Sequence, residues 1–142
     1  AIKPPRDDGE YILVRDQRGI GSQLMASPPN WGPTMVKVLQ RHAPYPVKLM
    51  PHPGDKGKLE KDLAAISKAR SVVIWSSAIG VRALVEGVPV QHFAPHWICE
   101  TWGKGREAAL QRMAHAQWHF DEIASGEPFA RMKAEGWGPK WH

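Results

Sequence analysis

The sequence predicts an α/β protein with a single Rossmann-like domain, in which helices cover both faces of a parallel sheet. Short apolar runs alternate along the chain with segments of helical periodicity, in the order β-α-β-α-β-α-β-α-α. The run Val72–Ile74 is apolar at every position, as expected for a strand that is covered on both faces. Parallel strands joined through helices in this way require right-handed crossovers.

Length, charge and cysteine usage narrow the class of protein. A chain of 142 residues fits one domain. Nineteen lysines and arginines against 14 acidic residues give a net charge of +5, which favours anionic partners such as nucleotides or nucleic acid. A basic domain with no polyanionic partner is the open alternative. The single cysteine, Cys99, excludes an internal disulfide and a cysteine zinc cluster and suits a reducing cytoplasm. No apolar run approaches the roughly 20 residues of a membrane span.

The first half of the chain predicts two strands and two helices. Residues 1–10 are rich in proline and charge and predict a flexible lead-in to a domain over residues 11–135. Tyr11–Arg15 is the first strand, and residues 16–30 form a long loop. We expect Asn30 to cap a helix that ends before Ala43.

The second strand, residues 46–50, leads through a proline-rich loop to a helix over residues 58–70. In that helix Leu59, Leu63 and Ile66 recur at helical spacing and should face the sheet, whereas Asp62 should be solvated.

The central segment, residues 71–90, predicts strand, Ser-Ser turn, short helix and a glycine stop before a new strand. The new strand should cover residues 88–93. His92 and His96 lie four residues apart, but Pro95 argues against the shared helix that a metal site would need, so we expect no metal. Residues 96–103 form an irregular aromatic segment that suits a lid or a partner surface.

The last third predicts helices. The longest, residues 105–123, has a core-facing stripe at spacings of four and three, formed by Ala109, Met113, Ala116, Phe120 and Ile123. A short helix follows over residues 129–135, and residues 136–142 predict a flexible tail. Seven tryptophans, several outside core patterns, indicate aromatic surface for stacking or partner contact.

Three loops at strand ends should converge on one crevice, because ligands of open α/β sheets bind beyond the carboxyl ends of the strands. These loops are Gln17–Gly21, His52–Gly54 and Ser76–Ser77. Ser76 and Ser77, with the following helix, offer hydroxyl and N–H groups to an anion. Arg18 could clamp a phosphate, and the prolines around His52 would hold its imidazole in place. A solvated arginine and a histidine packed in a turn are the alternatives.

These motifs, in this order, resemble the nucleotide-sugar-binding half of glycosyltransferases with the B fold. The resemblance is to capsule-polysaccharide-type enzymes and to glycosyltransferase-like proteins of bacteriophages and prophages. It covers residues 11 to about 130. The matching stretches are Gln17–Gly21, His52–Gly54, the helix from Leu59 to Ala69 and Trp75–Val90, and more narrowly Arg112–Trp118 with Glu122–Gly126.

The resemblance implies roles for the matched residues. Arg18 would neutralise the departing nucleotide diphosphate and His52 would lie near the diphosphate or sugar, as the catalytic pair, without a bound metal or other cofactor. Gln17, Gly19, Gly21, Pro53, Gly54, Ser76, Ser77 and Arg82 would contact the donor. Arg82 stands where many relatives have a glutamate that can bind ribose, so ribose recognition must differ here or be absent.

A B-fold enzyme needs two lobes, and this chain supplies one. Either it is a fragment, or a partner lobe or homodimer completes the site, or the domain is no longer an enzyme. The leading hypothesis is a donor-binding domain that acts with a second lobe on a DNA base or a glycan. A non-catalytic nucleic-acid- or protein-binding module is the second hypothesis, and another enzyme on a flavodoxin-like scaffold, such as a phosphosugar epimerase, is the third.

Overall fold

The computed structural model describes residues 2–52, 59–100, 105–115 and 117–136. The chain separates into two compact units, Ala1–Leu110 and Gln111–His142. Its elements are β1 (Tyr11–Arg15), α1 (Trp31–His42), β2 (Val47–Met50), α2 (Leu59–Lys68), β3 (Ala69–Ile74), α3 (Ile79–Val85), β4 (Val90–His92), α4 (Gly105–His115), α5 (Phe120–Ala124) and α6 (Glu127–Ala134).

The first unit contains a four-stranded sheet in the order β2-β1-β3-β4, and all of its strands are parallel. In the centre of the sheet, Ile12 of β1 pairs with Val47 of β2 and Ser71 of β3. Each strand reaches the next through a helix, as parallel pairing requires. The predicted α/β, Rossmann-like class is therefore confirmed.

Helices cover both faces of the sheet. Ile12 and Val14 pack on one face in a buried cluster with Trp31, and Met35 of α1 packs against it. On the other face the Tyr11 hydroxyl donates a 2.8 Å hydrogen bond to the carbonyl of Ala65 in α2. This alternation follows from the pleat of β1, whose successive side chains point to opposite faces.

The strand β3 begins two residues before the predicted start. Ala69 and Arg70 were expected to end the preceding helix, but Ala69 pairs with Tyr11 across the sheet. The pairing shifts register between Tyr11 and Ile12, so this first pair is an irregular extension of the ladder. The periodicity of α2 continued through these residues and concealed the change.

In the second unit, the predicted helix over residues 105–123 is interrupted. The residue before α5, His119, is extended (φ −71°, ψ 155°), and its backbone N–H donates to the Glu122 carboxylate at 2.6 Å. This capping box starts a new helix. Phe120 and Ile123 are 82% and 50% exposed, so the prediction that they face a core was wrong.

The segment before β1 runs along the end of α3 and the loop after it. The N–H of Lys3 donates to Val85 O at 2.8 Å, and that of Arg6 donates to Gly87 O at 2.9 Å. A Cβ on Gly87 would lie 2.0 Å from Pro4 O, so only glycine permits this approach. Residues 137–142 of the expected tail lie outside the described residues.

Within the ranges listed above, every helix is too short or too polar to cross a membrane. The helices α1 and α4 have 12 and 11 residues, against the roughly 20 that a span needs.

Candidate functional site

The three predicted loops leave the sheet at its carboxyl edge. Gln17, His52 and Ser76 each lie two residues after the end of a strand, β1, β2 and β3 respectively. Because β1 lies between β2 and β3, these loops leave neighbouring strands. The chain connections reverse direction between β1 and β3, and such a switch point is where open α/β sheets bind ligands.

A crevice of about 410 Å³ opens at this edge. It is lined by residues from three segments: Met25 of the β1–α1 loop, Ser76 after β3, and His96, Trp97 and Ile98 after β4. The Ser76 hydroxyl and the His96 imidazole are the polar side-chain groups of this lining, and the other three side chains are largely apolar. Such a lining suits a small molecule with an apolar ring and a few polar groups.

Trp75 holds the long β1–α1 loop over the end of β3. Its indole Nε1 donates a 2.7 Å hydrogen bond to Met25 O. The Trp75 ring meets the buried Trp31 edge to face, with the ring centroids 6.0 Å apart. The last residue before the Ser-Ser turn thereby fixes the loop that supplies Met25 to the crevice.

Gly80 in the first turn of α3 supports the Trp97 wall. A Cβ at this position would lie 2.5 Å from Ile74 Cδ1 and 2.6 Å from Trp97 Cζ2. Trp97 is 8% exposed and Ile74 is fully buried. The absence of a side chain at Gly80 is what lets the Trp97 ring pack directly on α3.

The two serines of the central turn have different surroundings. Ser76 lines the crevice. The Ser77 hydroxyl instead accepts a long, 3.4 Å contact from the N–H of Ile79, the first residue of α3. Ser77 therefore helps to satisfy the open N–H groups at the start of its own helix, and Ser76 is the serine of this turn that faces the crevice.

The amino end of α1 is occupied by a carboxylate. Asp16 Oδ1 accepts the N–H groups of Gln17 at 2.9 Å and Gly32 at 3.2 Å. Asn30 precedes the first residue of this helix as predicted, and its carbonyl accepts the N–H of Thr34 at 3.0 Å, but it adopts a left-handed conformation (φ 54°) and its side chain makes no cap bond. The side-chain acceptor for this end of the helix comes instead from Asp16, one residue after β1.

The other predicted residues of the first loop do not line the crevice. The Gln17 side chain donates to the backbone carbonyl of Asp16 at 3.3 Å. Arg18 is exposed. Gly19 and Gly21 have φ values of 67° and 140°, which glycine adopts without strain. The lining of the crevice includes none of these four residues.

His52 is half-buried at the end of β2, and it is not part of the crevice lining. Pro53 and Gly54, the other predicted donor contacts of this loop, lie outside the described residues. His52 therefore lies at the predicted carboxyl edge of the sheet. It follows β2, which flanks β1 on the side away from β3.

Arg82 belongs to an ion-pair network and not to the crevice. Its Nη1 lies 2.9 Å from one oxygen of Asp62, whose other oxygen is 3.2 Å from Nη1 of Arg15. Arg15 is 3% exposed and Asp62 is 9% exposed. The prediction that Asp62 is solvated was wrong, since a buried arginine at the end of β1 needs a counter-charge.

Four lining residues, Met25, His96, Trp97 and Ile98, were not predicted as site residues. The aromatic segment 96–103 had been recognised as a lid or partner surface, but no polar motif tied it to Ser76. The strand order could have indicated these residues. Because β4 lies beside β3, the loop that follows β4 must start near Ser76.

The described tryptophans are mostly structural. Trp31 and Trp97 are buried, and Trp75 and Trp118 are half-buried. None of these four is an exposed stacking surface, so the expectation of exposed aromatic rings is not met by them. The other three tryptophans lie outside the described residues.

Comparisons with known proteins identify no relative of this chain. No protein-family model matches it, and neither curated proteins nor solved structures include a significant match.

Proposed function

We propose that the chain is a glycosyltransferase-type domain that binds a nucleotide-diphospho-sugar. It would support glycosyl transfer to a DNA base or a glycan, with a second lobe or a partner chain completing the site. The observation that carries the proposal is the position of Ser76, on the wall of a 410 Å³ crevice beyond the carboxyl end of β3.

The chemistry of the crevice fits this class of ligand. Met25, Trp97 and Ile98 offer apolar surface to a nucleobase or a sugar ring. The Ser76 hydroxyl and the His96 imidazole can hydrogen-bond to ribose hydroxyls or phosphate oxygens. The Asp16 carboxylate disfavours a phosphate at the start of α1, which leaves the β3 end as the donor site.

Arg18 and His52 remain the proposed catalytic residues. Arg18 is exposed at the end of β1, so its guanidinium is available to a leaving diphosphate. His52 follows the neighbouring strand at the same edge. We leave Arg82 and Ser77 out of the donor site, since the first pairs with Asp62 and the second meets Ile79. The net charge of +5 suits an anionic acceptor such as DNA.

Isothermal titration calorimetry with UDP and GDP tests the donor site. We expect saturable binding of at least one of them, and a Ser76→Ala variant should bind it roughly tenfold more weakly, as expected for one hydrogen bond to a charged group. Ser67→Ala is the matched control, because the Ser67 hydroxyl lies outside the crevice lining and donates within α2, to Ala64 O. The donor site would be refuted if neither UDP nor GDP bound, or if the two substitutions weakened binding equally.

A non-catalytic interaction module is the second candidate. The observation that favours it is the exposure of large apolar side chains on α5 and α6, where Phe120 is 82% and Phe129 is 68% exposed. The helices α5 and α6 contact each other, and exposed apolar side chains that join in one patch mark a contact surface. Concentration-dependent self-association without nucleotide binding, measured by sedimentation velocity, would favour this candidate over the first.

A further inference from the structure

A second crevice, of about 380 Å³, opens at the amino edge of the sheet, at the opposite end of the strands from Ser76. Its floor is apolar and is formed by Ile12, Pro44 and Pro89. Tyr45 adds an aromatic wall. Crevices at the carboxyl edge are expected for this fold, whereas one at the amino edge needs a reason of its own.

Arg70 presents its guanidinium to this crevice. The guanidinium carbon lies 4.2 Å from the centre of the Tyr45 ring, close enough for a cation–π contact. This contact holds the guanidinium beside the ring and, among the described residues, leaves its charge without a carboxylate partner. A planar fork of this kind matches a carboxylate, which it can hold through two parallel hydrogen bonds.

Asp7 supplies the opposite charge to the same crevice. Within the described ranges, neither Asp7 nor Arg70 forms an ion pair within 4.0 Å, although both line this space. The neighbouring Asp8 is already paired with Arg6 at 2.7 Å. The crevice therefore presents a separated carboxylate and guanidinium above an apolar floor.

We propose that the amino-edge crevice binds a free α-amino acid with an apolar or aromatic side chain. The α-carboxylate pairs with Arg70, the α-ammonium group pairs with Asp7, and the side chain lies on Ile12, Pro44 and the Tyr45 ring. A zwitterionic ligand can pair with both Asp7 and Arg70, which do not pair with each other, and its side chain buries apolar surface in the crevice. This binding does not depend on the nucleotide-sugar function, since the two crevices lie at opposite edges.

Calorimetric titration with L-phenylalanine and L-leucine tests the ligand class. We expect at least one to bind saturably. Its N-acetyl derivative lacks the ammonium group and its amide lacks the carboxylate, and each should bind at least about tenfold more weakly. Absence of saturable binding by both amino acids, or equal binding of the blocked derivatives, would overturn the proposal.

Variants test the assigned groups. Asp7→Asn and Arg70→Met should each weaken binding about tenfold or more. Asp8→Asn is the matched control and should not weaken binding, because Asp8 pairs with Arg6 and does not line the crevice, and its charge, which also acts on Arg70, would compete with the ligand carboxylate. Ser76→Ala should leave amino-acid binding unchanged. Circular dichroism and thermal melting establish that each variant is folded, and unchanged affinity in folded Asp7→Asn and Arg70→Met proteins would contradict the assignment.

Discussion

The carboxylate of Asp16, one residue after β1, lies 3.2 Å from the backbone nitrogen of Gly32 in the first turn of α1. A Cβ on Gly32 would lie 2.5 Å from Asp16 Oδ1, so this approach requires glycine. The first βα turn of a Rossmann-like fold is often where a phosphate binds. Here the chain provides its own anion at that point, so a phosphate would meet like charge.

Replacing Asp16 tests this internal cap. Asp16→Ala should lower the free energy of unfolding by about 1 kcal/mol, because two backbone N–H groups lose their acceptor. Asp16→Asn keeps an acceptor oxygen and should cost only a fraction of that. Urea denaturation at neutral pH gives both values, and an equal loss in the two variants would show that charge, not hydrogen bonding, dominates.

The Arg15–Asp62–Arg82 network should be strongly asymmetric. Asp62→Ala leaves the buried Arg15 charge uncompensated and should cost roughly 3–5 kcal/mol of stability. The Arg82 side chain is 40% exposed, so Arg82→Ala should lower the free energy of unfolding by at most about 1 kcal/mol. Chemical denaturation of both variants tests this ranking. Adding Arg15→Met to Asp62→Ala should recover part of the loss, since it removes the stranded charge.

Trp75 should control the mobility of the β1–α1 loop. Trp75→Phe keeps an aromatic ring but removes the donor to Met25 O. The amides of Met25 and Ala26 donate to Ser22 O within the same loop, so their hydrogen exchange should accelerate roughly fivefold, as expected for one lost hydrogen bond. The amide of Val14 in β1 serves as the internal control. Equal acceleration there would indicate general destabilisation instead of a loosened loop.

The fold was predictable from sequence because it depends on local patterns. Tyr11–Arg15 was predicted with its observed limits, since an apolar run between polar segments defines both ends of the strand. The interruption of the last long helix was missed. Its stripe of apolar residues continued through His119, whose capping box with Glu122 competes with helical continuation.

The candidate site was less predictable because its lining depends on which strands are neighbours. Ser76 follows a strand directly and was identified as a candidate. Trp97 reaches the same crevice only because β4 pairs with β3 and because Gly80 makes room for its ring. Asp62 appeared solvated because charged neighbours surround it in sequence, whereas its partner Arg15 is 47 residues away.

Tyr11 should make stability depend on pH in the alkaline range. Burial, with a smaller contribution from Glu10, raises the pKa of the Tyr11 phenol above its ordinary 10.0. The folded chain therefore holds this proton more tightly than the unfolded chain. The resulting stabilisation is complete below pH 10.0 and is lost as the pH rises through the raised pKa of the folded state.

Tyr11→Phe should lower the free energy of unfolding by about 1 kcal/mol at neutral pH through the lost bond to Ala65 O, and should remove this alkaline component. Tyr45→Phe is the matched control and should retain it, because Tyr11 is still present. Denaturation curves on both sides of pH 10 measure the difference, and an unchanged alkaline slope in Tyr11→Phe would contradict the prediction.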